Sequence, residues 1–169
     1  MVTRALLALC LFAGVASADD QRVGWDFDLG ILPLDHRTFA YGVGLELEQH
    51  LAHGWYATTA YRWMWLERSG DPEQFGDGHH LELGLRRTFA STMILPQIRL
   101  FVDGEAGVGA DLITADARSR ALPEAYAGLR AGYTLLRNHQ TFAFDLGLRA
   151  VAIDRGVGTL FAIAMRWGD

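Results

Sequence analysis

Several groups of side chains in this chain have types and spacings that chemistry uses. Glu67, Ser69, His79 and His80 share one stretch and supply the acid, nucleophile and base of an acyl-transfer site. A serine becomes a nucleophile only when a base lies within hydrogen-bond reach and is itself held in place. Nothing in the spacing fixes that geometry, so no catalytic residue is assigned. Asp77, His79 and His80 are metal-ligand types, as are His50 and His53 near Glu48. His50-Leu-Ala-His53 reads as a turn, not a helix that would bring both imidazoles to one face, and Asp77–His80 reads as the polar base of a loop. Asp26-Phe-Asp28-Leu-Gly30 opens like a calcium loop but lacks the glutamate that would close it. Gly104-Glu-Ala-Gly107-Val-Gly109 is glycine-rich, yet no helix follows to hold a phosphate. No metal and no cofactor are expected.

Most charged residues belong to a different pattern. In Phe39-Ala-Tyr-Gly-Val-Gly-Leu-Glu-Leu-Glu48, apolar residues alternate with glycine or glutamate. Period two marks a strand, because successive side chains point to opposite faces of a sheet. Eight such runs are read, roughly 22–31, 38–48, 55–66, 80–89, 97–112, 124–135, 141–152 and 159–167. The connections between them are 32–37, 49–54, 67–79, 90–96, 113–123, 136–140 and 153–158. Most of the runs have the nine to eleven residues (about) that a tilted membrane strand needs, against about five or six in soluble sheets. The fold class read from this is all-β: an eight-stranded antiparallel up-and-down transmembrane barrel.

Ahead of the strands stands an export signal. Residues 1–18 carry Arg4, an apolar stretch from Ala5 to Val15, and Ala16-Ser17-Ala18 as a cleavage site. That stretch is too short to span a bilayer as a helix, and no later one approaches the ~18 residues required. Residues 19–169 then form one domain, of the barrel. Cleavage removes Cys10, the sole cysteine, so no disulfide is available in the oxidising compartment beyond. The mature chain has fourteen arginines against twenty carboxylates, net −6, and no lysine. Such acidity argues against nucleic acid as a partner.

The two faces of the strands differ sharply. One carries apolar residues with aromatics near the strand ends: Trp25, Trp55, Tyr133 and Trp167 toward one end, and Tyr41, Trp63 and Trp65 toward the other. These read as interfacial girdles. The opposite face carries Asp26, Asp28, Glu46, Glu48, Arg62, Glu82, Arg86, Asp103, Glu105, Arg130, Asp145, Arg149 and Arg166, interspersed with glycine. A soluble lipocalin-like barrel would turn the same faces the other way round, apolar inward around a ligand. Aromatics at strand ends, glycine on the polar face and arginine as the only base favour the membrane version. Arginine pairs carboxylates bidentately in tight, dry surroundings. Same-strand neighbours such as Glu82 with Arg86, and Asp145 with Arg149, are candidates to join an interior ion-pair network.

On these features the chain resembles the small outer-membrane barrels of the OmpA-transmembrane and OmpX type. The resemblance covers the mature chain at the level of pattern. It implies an outer-membrane location, both termini on the periplasmic side, a monomer, and partners in outer-membrane lipid, lipopolysaccharide and the assembly machinery. Leu160-Phe-Ala-Ile-Ala-Met-Arg-Trp167 looks like the C-terminal assembly signal of that family, although Gly168 and Asp169 follow the aromatic residue. The function expected is structural, or surface interaction through outward loops, with Arg118 and Arg120 as candidate contacts to lipid phosphates. The alternatives are a lipid-modifying acylhydrolase and the soluble ligand-binding barrel.

Overall fold

The computed structural model describes residues 21–34, 37–68, 75–115, 118–137, 140–154 and 156–168. The stretch read as an export signal, residues 1–18, lies outside them, as does Ser69. Eight strands run β1 (Gln21–Pro33), β2 (Arg37–Ala52), β3 (Trp55–Arg68), β4 (Phe75–Leu95), β5 (Ile98–Ala115), β6 (Arg118–Arg137), β7 (Gln140–Ile153) and β8 (Gly156–Gly168). Each pairs antiparallel with its chain neighbour, and β1 also pairs with β8, so the sheet closes as an up-and-down barrel. No helix among the described residues is long and apolar enough to cross a membrane.

Closure gives every central strand two partners, and this satisfies backbone donors and acceptors without a helix. Gln21 and Gly168 mark the termini end, which also holds the β2–β3, β4–β5 and β6–β7 connections; the other four connections are at the far end. The β2–β3 turn is a two-residue loop. His53 and Gly54 both take positive φ, 50° and 77°, and Ala52 pairs with Trp55. That backbone twist matches the twist of the strands it joins, which is why glycine is favoured in such turns. His50 lies on β2 with its ring 5.2 Å from that of Tyr56, while His53 is exposed in the turn.

The strands run longer than alternation alone predicts. The stretch 113–123, expected as a loop, is a hairpin in which Ile113 pairs with Arg120 and Ala115 with Arg118. Stretch 67–79 likewise contributes to β3 and β4, leaving 69–74 outside the described residues. The apolar stretch 90–96 is β4 itself, paired with β5 as far as Leu95 and Ile98. Stretches 90–95 and 118–123 lack two-faced alternation because there β4 and β6 run on past one of their two neighbours. β4 pairs with β3 only as far as Arg87, and β6 pairs with β7 only from Glu124 onward. Past those points β4 and β6 have a partner strand on one side only, and the strict alternation of the wall lapses. Pro123, which has no N–H to donate, stands just where β6 gains its second partner.

Burial settles the direction of the faces. Trp25, Phe27, Leu29 and Ile31 on β1, Leu81, Leu83 and Leu85 on β4, and Phe142, Phe144, Leu146 and Leu148 on β7 are all exposed. The other strands also expose large apolar side chains. The charged face points inward. The lipocalin-like alternative fails here, since it needs the apolar face inside.

Candidate functional site: the charged interior

All thirteen residues read from sequence as lumen-facing are buried in the barrel interior. Their pairing follows the register. Successive inward side chains on one strand are about 6.6 Å apart, so residues at i and i+4 are separated by about 13 Å along it. At that distance Glu82 and Arg86, or Asp145 and Arg149, join the network as expected, through partners on other strands. Glu82 meets Arg62 in a close contact and Arg149 at 3.3 Å, while Asp145 meets Arg130 at 3.2 Å and Arg166 in a close contact. The pairs run between strands.

Two glutamates act as hubs. Glu46 lies 2.8 Å from Arg86, 3.2 Å from Arg130, 3.5 Å from Arg62 and 3.6 Å from Arg149. Glu105 receives Arg86 and Arg130, each at 2.9 Å, and Arg149 at 2.5 Å. Arg62 also reaches Asp26 at 2.6 Å and Asp28 at 2.8 Å. Glu48, on the same charged face as Glu46, joins the network through close contacts with Arg86 and Arg166. Fully buried charges of this kind persist only when paired, because desolvation is expensive. Aromatic faces add to the packing: the Arg149 guanidinium lies 5.0 Å from the Tyr126 ring centre, and that of Arg166 lies 5.6 Å from Phe101.

Glycine makes room for these bridges. Gly44 pairs with Asp26 on one side and Arg62 on the other, and those two side chains join over it. A Cβ at Gly44 would come within 2.7 Å of Arg62 Cγ and collide with the Asp26 carboxylate.

Toward the far end the interior changes character. Leu32, Ala40, Met64, Leu66, Ile113 and Ile153 belong to an apolar cluster. Beneath it, His80 Nδ1 stands in close contact with Asp111 Oδ1 and 3.2 Å from Glu124 Oε2. Neither Asp111 nor Glu124 was singled out in the sequence, yet the strand period reveals both. Asp111 continues the inward series Asp103, Glu105, Gly107, Gly109, and Glu124 precedes Tyr126, Gly128 and Arg130.

On the outer surface, Tyr41 stacks on Trp65 with ring centres 5.7 Å apart, and Trp63 lies 4.6 Å from Trp65. Tyr61 bonds His79 Nδ1 at 2.7 Å, and His79 Nε2 lies 3.3 Å from Asp77. Hence His79 and His80, adjacent in sequence, are divided between the two faces of β4. At the termini end Trp55 lies under the Arg87 guanidinium at 5.2 Å, Tyr133 lies 5.9 Å from Phe144, and Trp25 and Trp167 are exposed. Arg118 and Arg120, expected in a loop, begin β6; Arg120 is exposed. Ser119 bonds Thr114 at 3.1 Å, and Ser91 pairs with Phe101 on the β4–β5 hairpin.

The closed barrel with charge inside and apolar residues outside can be set beside solved structures. Neisserial surface protein A matches with a TM-score of 0.57 at 8% identity, over 86% of this chain and 95% of its own. The outer membrane protein OprG of Pseudomonas aeruginosa matches with a TM-score of 0.50 at 9% identity, over 88% and 92%. The fold is that of the small outer-membrane barrels. No protein-family model matches the sequence, and no curated protein is similar to it.

Proposed function

We propose that this chain is an outer-membrane barrel with a closed polar lumen, serving as a structural member of that membrane or acting at the cell surface through its far-end hairpins. One observation carries the reading: every strand turns large apolar side chains outward and buries charged ones inside. Soluble monomers rarely expose contiguous apolar patches above a few hundred Å² (roughly), whereas here apolar residues encircle the wall. Lipid tails are the surroundings in which that surface is favourable, and a closed strand ladder leaves no unpaired backbone to meet them.

An even strand count puts both termini on one side, the periplasmic side in single-chain bacterial barrels. The far end then faces outward, with Trp63 and Trp65 at the outer interface and the β5–β6 hairpin beyond it. Arg118 and Arg120 on that hairpin suit the phosphates of lipopolysaccharide, since guanidinium binds phosphate bidentately. An eight-stranded barrel has an interior about wide enough for its own side chains, so transport through it is not part of this reading. No catalytic role is proposed; the protein works as a monomer, inserted by the outer-membrane assembly machinery.

The test uses the folded barrel in planar bilayers and in a lipopolysaccharide-binding assay. The reading expects no sustained ion conductance, and weaker lipopolysaccharide binding by an Arg118→Ala/Arg120→Ala variant that folds normally. Stable conductance would overturn the closed lumen. Binding unchanged in the variant would remove the hairpin from the surface role.

A further inference from the structure

The interior holds more negative charge than its own cations can balance. Among the described residues, ten carboxylates are buried: Asp26, Asp28, Glu46, Glu48, Glu82, Asp103, Glu105, Asp111, Glu124 and Asp145. Five arginines are buried with them: Arg62, Arg86, Arg130, Arg149 and Arg166. The arginines gather on the hub carboxylates at mid-barrel. Asp111 and Glu124, nearer the far end, have His80 as their shared partner.

We infer that His80, Asp111 and Glu124 form a binding site for a divalent transition-metal cation of the zinc class. One donor atom from each residue lies within 4.8 Å of the others, and the residues are 1%, 1% and 4% exposed. They come from three neighbouring strands, β4, β5 and β6, so the site exists only in the folded barrel. Asp111 Oδ1 faces the His80 imidazole and Oδ2 has no hydrogen-bond partner, so the carboxylate has an oxygen to offer a metal.

Charge favours the same answer. A protonated His80 between two carboxylates would leave a net −1 buried beneath the apolar cluster. A divalent cation with two carboxylates and a neutral imidazole sums to zero. Donor chemistry then narrows the metal. Calcium wants about six to eight oxygens and magnesium keeps several waters, whereas imidazole with carboxylates suits zinc and its neighbours. Metal–donor bonds of about 2.0–2.2 Å in a tetrahedron set donors roughly 3.3–3.5 Å apart. His80 Nδ1 and Glu124 Oε2 already stand at 3.2 Å. The Asp111 carboxylate has only to draw back from the imidazole, and a water would complete the tetrahedron as in zinc sites with three protein ligands.

The experiment uses the untagged full-length protein, folded in detergent, stripped with EDTA, exposed to zinc chloride and gel-filtered. Bound zinc is counted by mass spectrometry, and heat-modifiable gel mobility certifies that the measured fraction is folded. The wild type should retain roughly one zinc per barrel, and Co²⁺ in its place should show the visible bands of a tetrahedral N/O site. Asp111→Asn and His80→Asn should each lower affinity by at least about tenfold, the size of effect seen even for residues one shell out. A His50→Ala/His53→Ala variant should bind as the wild type does. A folded wild-type barrel that holds no zinc overturns the inference. So does retention that survives Asp111→Asn but disappears with His50 and His53. If the lumen variants fail to fold, the wild-type zinc count and cobalt spectrum decide the matter.

Discussion

Arg149 on β7 and Glu105 on β5 meet across the strand between them, Nε to Oε1 at 2.5 Å, above Gly128. Gly128 is the register partner of both. A Cβ at this position would lie 2.9 Å from Arg149 Cγ and 3.2 Å from Glu105 Oε1. Gly128→Ala should therefore strain the bridge, and Gly128→Val should disrupt it. Overpacking of this kind costs about 1–3 kcal/mol, and the valine variant should stand at or above the upper end. Equilibrium unfolding in detergent or lipid measures the difference; equal stability of Gly128→Val and wild type would show that the space is not needed.

Truncating the arginine attacks the same bridge from its other side. Arg149→Ala leaves Glu105 with Arg86 and Arg130, but deprives Glu82 of one of its two arginines. Breaking a buried pair by removing one member costs about 3–5 kcal/mol, and the loss here should fall within that range. An unfolding free energy within error of wild type would contradict the network's role in stability.

The outer wall gives a prediction with its own internal control. Leu83 is 58% exposed in the middle of the paired part of β4, whereas Phe89 is 62% exposed beyond the last β3 pairing at Arg87. Arginine on a lipid-facing wall costs about 2–4 kcal/mol at the midplane and about 0–1 kcal/mol near the interface. Leu83→Arg should therefore destabilise the lipid-embedded protein far more than Phe89→Arg, although their exposures are alike. Equal penalties would place the membrane elsewhere on the barrel.

The β5–β6 hairpin projects past the barrel, because β6 pairs with β7 only from Glu124. Shortening it beyond Thr114 and Ser119 should leave insertion and heat-modifiable mobility intact, since the barrel ladder is untouched. Failure of the shortened chain to insert would show that the hairpin is part of the folding unit.

Strand number and facing were legible because a barrel wall imposes strict period two wherever one side meets lipid and the other meets packed charge. Trp25-Asp26-Phe27-Asp28-Leu29 states this directly, and the structure alternates burial through the same residues. The hairpin extensions were not legible. In Ala90–Leu95 and Arg118–Pro123 the strand has one partner and little of it beyond Leu122 packs inside the wall, so side-chain polarity carries little pattern. Ion-pair partners were hidden for a related reason: register, not strand position, decides which inward charges meet, as Glu82 reaching Arg62 and Arg149 illustrates. The His80–Asp111–Glu124 cluster depends on three strands and was missed in the same way.

The account stands on the apolar wall lying in lipid. Density-gradient separation of cell envelopes, followed by gel electrophoresis with and without boiling, addresses this directly. The protein should appear in the outer-membrane fraction, resist extraction by salt, and change mobility on boiling as the barrel unfolds. Recovery from the soluble periplasm, with one mobility in both conditions, would contradict it.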